Sequence, residues 1–179
     1  GFIGPPLHES YEKFYSFSRE QAIQAVSYYR EYYEEKGMFE NEVYPGIKEL
    51  LRVLTKQGIL CLVATSKPEI YAKKILDYYK LRTYFHYIAG ANMDGTRTDK
   101  AEVIAYALKQ IPAEYNNKKI LMVGDRSHDI IGAKKNGIDC AGVLFGYGSR
   151  EELEEAGADF VADSVEAVRN IILLDTAMN

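Results

Sequence analysis

Hydrophobic patterning divides the sequence into two regimes that meet near Glu42–Pro45. From about Glu9 to Gly37 the pattern predicts helix, with Ser18 and Gln21 spaced as a capping box and Gly37 as a stop. Tyr28, Tyr29, Tyr32 and Tyr33 recur at helical spacing and read as aromatic packing between helices, with a ligand-stacking role as the alternative. From Pro45 onward, short apolar runs alternate with helical stripes. Pro45 suits a first helical turn, and Ile47, Leu50, Leu51 and Leu54 form a stripe that ends before Gly58. The run Ile59–Thr65 is continuously apolar up to its last residue, as expected of a parallel strand covered on both faces. Pro68 is expected to start the next helix. Further strands are expected at Tyr87–Ala89, Lys119–Val123, Cys140–Leu144 and Asp159–Val161. Helices are expected near Lys100–Gln110, Asp129–Asn136, Glu151 and from Ser164. This rhythm predicts an α/β fold, a doubly wound parallel sheet over residues 45–179, preceded by a helical segment over residues 1–44.

Composition narrows the functional classes. Hydrophobic residues make up 47% and charged residues 27% of the 179 positions, a balance that fills a core. The formal net charge is −4 and no long basic block occurs, so neither nucleic acid nor an anionic membrane is an expected partner. The apolar runs are strand-sized, far short of a bilayer span. Cys61 and Cys140 each lie inside an apolar run and read as buried free thiols of a reducing, cytoplasmic setting.

In such sheets, ligands bind beyond the carboxyl ends of the strands, and three of those ends carry chemistry. After Ile59–Ala64 come Thr65 and Ser66, two hydroxyls ahead of a helix N-terminus, a combination that suits an anion and equally suits simple capping. Lys100 opens a helix where the dipole disfavours a cation, which calls for a nearby negative charge, with an ordinary surface lysine as the alternative. Asp125 and Asp129 follow an apolar strand and lie one helical turn apart if the helix begins near Arg126. Paired hard oxygen ligands suit Mg²⁺, and an N-cap with a dipole-compensating carboxylate explains them as well. His128 reads as solvent-facing. The convergence of hydroxyl, cation and carboxylates describes a site for a phosphoryl group and Mg²⁺.

These segments resemble the haloacid dehalogenase-like phosphatases, and within them the phosphoglycolate phosphatase-like branch. "VATSKP" is similar to the family's second motif, Lys100 to its third and "MVGDRSHDIIGAKKNGI" to its fourth. "GVLFGYGSREEL" also resembles this branch, and "FIGPPL" resembles the segment crossing its helical cap. The resemblance implies a Mg²⁺-dependent phosphatase of small phosphorylated metabolites that works through an aspartyl-phosphate. Thr65, helped by the backbone at Ser66, would bind the phosphoryl group. Lys100 would neutralise it as a catalytic residue. Asp125 would hold Mg²⁺, and Asp129 would complete or orient that shell. Residues 1–44 would be a partial helical cap.

The family's first motif, a strand ending in Asp-x-Asp-Gly-Thr, is not found. Asp94-Gly95-Thr96 follows no apolar strand with an Asp two residues before it, since position 92 is Asn92. The nucleophile is therefore expected before Gly1, and these 179 residues alone are expected to be inactive. In that fold the missing strand lies between Ile59–Thr65 and Ile120–Val123, so its absence leaves a gap of roughly 9–10 Å. Each buried unpaired edge group would cost about 1–3 kcal/mol. The missing segment is thus expected to complete the sheet, as a cleaved but bound piece, a poorly ordered stretch or a strand of another copy. A sugar-phosphate mutase of the same superfamily and a non-catalytic phosphate-binding module are the competing readings.

Overall fold

A computed structural model describes residues 7–177, so most of the Phe2–Leu7 segment lies outside the described residues. The chain divides into two units, residues 1–42 and 43–179.

In the first unit, α1 (Leu7–Tyr15) and α2 (Arg19–Glu35) replace the single helical stretch expected from the pattern. Ser16 adopts φ 55° and breaks the first helix. Ser18 then stays extended and turns its hydroxyl to the Gln21 amide at 3.3 Å, while the Gln21 side chain accepts from the Ser18 amide at 2.9 Å. A serine that satisfies a helix N-terminus starts a new helix more readily than it continues an old one. The tyrosines of α2 divide between partial burial and solvent, and burial, with Tyr33 and Tyr11 of α1 nearby, raises the Tyr29 hydroxyl above its ordinary range. Tyr29 and Tyr33 stack on each other along one helix face, whereas Tyr28, Tyr29 and Tyr32 are exposed and the Tyr32 hydroxyl donates to Glu40.

In the second unit, β1 (Leu62–Pro68) pairs in parallel with β2 (Tyr87–Ala91). Separately, β3 (Leu121–Gly124), β4 (Asp139–Val143) and β5 (Phe160–Ala162) form a parallel sheet in the order β3-β4-β5. Helices α3 (Ile47–Lys56), α4 (Glu69–Tyr78), α5 (Lys100–Leu108), α6 (Ser127–Lys135), α7 (Arg150–Glu155) and α8 (Val165–Ala177) alternate with these strands. The α/β class is as the alternation implied, and among the described residues the pairing is interrupted between β1 and β3, where a gap was expected. Burial follows the interruption. Residues Cys140–Val143 of β4 are all buried, as a strand flanked on both sides should be. Leu62–Thr65 of β1 are only half-buried, and Val123 of β3 is 38% exposed.

Two boundaries move for local reasons. Pro45 does not open α3, because Gly46, at φ 88°, stands in the left-handed region and the helix begins at Ile47. Pro68 does not open α4 but re-pairs with Ala91 at the end of β1, so the helix begins at Glu69.

Three apolar clusters hold the layers together. Leu50 and Leu54 of α3 meet Val143, Ala162 and Val168. Ile130 and Ala133 of α6 meet Cys140 and Leu153. Val103 and Ala107 of α5 cover Ala89. Ile130 is fully buried and contributes on the order of 1.5–3 kcal/mol by transfer from water. Both cysteines are free; Cys140 is buried as expected, whereas Cys61 is only half-buried. Among the described residues, no helix is long and apolar enough to cross a membrane.

Candidate active site

The carboxyl end of β1 departs from regular pairing. Thr65 sits opposite Gly90 and Pro68 opposite Ala91, so Ser66 and Lys67 bulge outward and are exposed. The Thr65 hydroxyl accepts from the Lys67 amide at 3.2 Å, closing a tight turn. Neither Thr65 nor Ser66 caps α4, whose preceding residue, Pro68, offers no side-chain bond. The bulge presses on β2: a Cβ on Gly90 would lie 2.7 Å from the Lys67 carbonyl oxygen and 2.6 Å from the Glu69 Cα.

Lys100 is the first residue of α5. Asp99 caps that helix by accepting from the Ala101 and Glu102 amides. The Lys100 amine pairs with Asp129 Oδ1 at 2.8 Å, and the two side chains are only 15% and 9% exposed. It also donates to the Ala64 carbonyl at 3.2 Å. One ammonium thus bridges the two sheets, bonding β1 just before Thr65 and a carboxylate just beyond β3. Gly132 of α6 makes room for its stem, since a Cβ there would lie 2.9 Å from Lys100 Cγ. The loop leading to Lys100 is fastened by Arg97, at φ 52°. Its guanidinium donates to the Gly90 carbonyl at 2.8 Å and to Asn92 at 2.9 Å, and lies 3.8 Å over the Tyr106 ring. Asp94 is exposed and closes its own turn, accepting from the Thr96 amide and hydroxyl. Those bonds hold its carboxyl below the usual range.

Beyond β3 the chain wraps around the Asp129 carboxylate. Oδ2 accepts from the Asp125 amide at 3.1 Å and the Arg126 amide at 3.2 Å, while Oδ1 holds Lys100. Arg126 precedes α6 but carries no acceptor, so it cannot cap the helix. Asp129 from within α6 and Glu152 from α7 meet those amides instead. Glu152 Oε1 accepts from the Ser127 amide at 2.8 Å and from Arg126 Nε at 2.9 Å. The Ser127 amide, followed by Arg126, pulls the Glu152 carboxyl down to about 2. Asp125 Oδ2 accepts from the Tyr147 amide at 2.9 Å. Gly146 and Gly148 flank that amide, and a Cβ on either would collide with Asp125. His128 is exposed, as expected.

Both Asp129 oxygens are therefore engaged, whereas Asp125 Oδ1 makes no hydrogen bond among the described residues. No cluster of three or more Asp, Glu, His or Cys side chains suited to a metal occurs among the described residues. A donor set of one or two carboxylates is too sparse for Ca²⁺ and lacks the N and S ligands of Zn²⁺. It fits Mg²⁺, which keeps several waters and takes phosphate oxygens.

The family model for haloacid dehalogenase-like hydrolases matches residues 1–143. The chain belongs to this family. It is 39% identical to a 5'-nucleotidase of Pseudomonas aeruginosa, covering 96% of this chain and 76% of that protein. It is 36% identical to the tyrosine-protein kinase PtkA of Mycobacterium tuberculosis, of which it spans 58%. A solved structure from Clostridium acetobutylicum, described as a predicted phosphatase, is 45% identical with a TM-score of 0.84, covering 97% of this chain and 79% of that one.

Within this haloacid dehalogenase-like hydrolase, the structure brings Lys100, Asp125 and Asp129 into one bonded chain with the Thr65 end of β1. Ser66 lies on the exposed bulge beside them. Sequence reasoning did not single out Glu152, Arg97 or the Tyr147 amide. Two glycines flanking one residue, in "GYG", were the available signal of a close backbone approach. Nothing local distinguishes Glu152 from Glu151 or Glu154.

Proposed function

We propose that these residues form the phosphoryl-binding and metal-holding part of a Mg²⁺-dependent phosphatase of small phosphorylated metabolites. The observation that carries the reading is Lys100, a nearly buried ammonium fixed between the Ala64 carbonyl and Asp129 at the carboxyl ends of two parallel sheets. A buried cation at a strand end is arranged to meet negative charge. The names of the relatives, a nucleotidase and a kinase, agree with phosphoryl chemistry.

In this reading the Thr65 hydroxyl and the backbone at Ser66 bind phosphoryl oxygens, and Lys100 offsets their charge. Asp129 orients Lys100 and the Asp125 loop, leaving Asp125 Oδ1 to hold the metal. Mg²⁺ bound there supplies charge neutralisation for the transferring group. The attacking carboxylate is not among the groups around Lys100. Asp129 is fully engaged, and Asp94 is tied into its own turn. The half-buried β1 and the exposed Val123 of β3 support the reading that one more parallel strand completes the sheet between them. An aspartate at its carboxyl end would meet Lys100, attack phosphorus and expel the alcohol; water would then hydrolyse the aspartyl-phosphate to orthophosphate. In this reading residues 1–44 belong to a partial helical cap.

A panel of phosphoglycolate, nucleoside monophosphates and pyrophosphate, assayed with full-length protein and Mg²⁺, tests this. Turnover should require Mg²⁺ and fall at least about 100-fold in Asp125→Asn, and residues 1–179 alone should show none. Wild-type turnover in Asp125→Asn would refute the assignment.

A further inference from the structure

We infer that Glu152 is a positioning residue for the cation site at Asp125, an inference that rests on the function proposed above. Three contacts from the Gly146–Glu152 segment converge on the residues around Asp125. The Tyr147 amide fixes Asp125 Oδ2 at 2.9 Å, which turns the carboxylate so that Oδ1 is the oxygen left over. The Gly148 backbone lies against the Asp125 carbonyl so closely that a Cβ has no room. Glu152 grips the next two residues, Arg126 through Nε at 2.9 Å and Ser127 through its amide at 2.8 Å. Ser149 caps α7 by accepting from the Glu152 amide at 3.2 Å, which fixes the backbone from which that carboxylate projects.

The charge arrangement gives the contact a purpose beyond holding a helix end. A cation at Asp125 would sit beside the positive end of the α6 dipole, worth about half an elementary charge, in a segment that also carries the Arg126 cation. Glu152 meets both with one carboxylate oxygen, and Asp129 is already committed to Lys100. Without the Glu152 charge, Arg126 loses its carboxylate partner and the Ser127 amide its anionic acceptor, which frees the segment that carries Asp125. Glu151 and Glu154 of the same helix do not face α6: Glu154 pairs with Arg150, and Glu151 is exposed.

The test is Mn²⁺ binding to full-length protein, read from the free-ion EPR signal without substrate, with folding checked by circular dichroism. Glu152→Gln keeps an oxygen for the Ser127 amide and loses only the charge. It should weaken Mn²⁺ binding about tenfold, the usual size for an outer-shell partner, while Glu151→Gln leaves it unchanged. If Glu152→Gln does not fold, Glu152→Asp, which shortens the reach by one methylene, should weaken binding about threefold. Binding within twofold of wild type in the folded Glu152 variant, or an equal loss in Glu151→Gln, overturns the inference. Asp125→Asn, run alongside, separates the two levels. If it binds as wild type, the metal assignment itself fails; if it loses binding while Glu152→Gln does not, only the role of Glu152 fails.

Discussion

Replacing Gly124 by alanine adds one carbon at a crowded point of the site. Gly124 has an ordinary φ, so the backbone accepts alanine and the penalty is purely one of space. The new Cβ would lie 2.3 Å from Asp129 Cβ and 2.5 Å from its Cγ and Oδ2, where ordinary contact begins at 3.4 Å. The Asp129 side chain, from its Cβ outward, must therefore retreat by roughly 1 Å in a packed interior. Its Oδ2 bonds, now 3.1 and 3.2 Å to the Asp125 and Arg126 amides, would pass beyond bonding range. Hydrogen bonds to a charged group contribute about 1.5–3 kcal/mol each, and overpacking adds about 1–3 kcal/mol. Allowing for relaxation, Gly124→Ala should destabilise by about 4 kcal/mol, a large share of a typical 5–15 kcal/mol. Gly137→Ala is the control. At φ 67° with nothing within 4 Å of its would-be Cβ, it should cost only the left-handed penalty of about 1–2 kcal/mol. Urea unfolding at constant m-value measures both. A Gly124→Ala cost at or below that of Gly137→Ala would refute the claim that this glycine exists to admit Asp129.

Other expectations can be checked separately. Lys100→Met leaves Asp129 buried without its counter-charge, and should destabilise by about 3–5 kcal/mol in chemical unfolding as well as abolish phosphatase turnover of the full-length protein. Asp94→Asn should leave turnover within twofold, because Asp94 serves a surface turn; a loss of 100-fold would return it to the candidates for nucleophile. The Glu152 carboxyl is depressed from 4.5 to about 2 in the folded protein. Its stabilisation is therefore complete above pH about 4.5 and fades as pH falls toward 2. Discounted for partial solvent exposure, it amounts to about 1–2 kcal/mol. Stability measured against pH should show a shallower acid limb in Glu152→Gln.

The parts of the fold that local chemistry decides were legible in the sequence. Continuous apolar runs marked the strands, and the Ser18–Gln21 spacing marked the start of α2. The polar residues at strand ends marked Thr65, Lys100, Asp125 and Asp129. The dipole argument also pointed the right way for Lys100, whose unfavourable position at a helix start is compensated by Asp129 at 2.8 Å. What the pattern could not show depends on contacts distant in sequence. Glu152 reaches back 26 residues to Arg126, and Gly132 matters only because the Lys100 stem crosses it. The run at Ile59–Thr65 read as doubly covered, yet β1 is half-buried, because an apolar run reports the environment a strand is built for and not which neighbours surround it. The end of α1 was hidden for another reason: helical periodicity continued past Tyr15, while the deciding feature was the left-handed backbone of Ser16.

The account stands most directly on a crystal structure of the full-length protein with Mg²⁺ and orthovanadate. It predicts vanadate oxygens about 2.7–3.2 Å from the Thr65 hydroxyl and the Lys100 amine, and Mg²⁺ about 2.0–2.1 Å from an Asp125 oxygen. Vanadate bound elsewhere, or an Asp125 carboxylate that touches no metal, would contradict it.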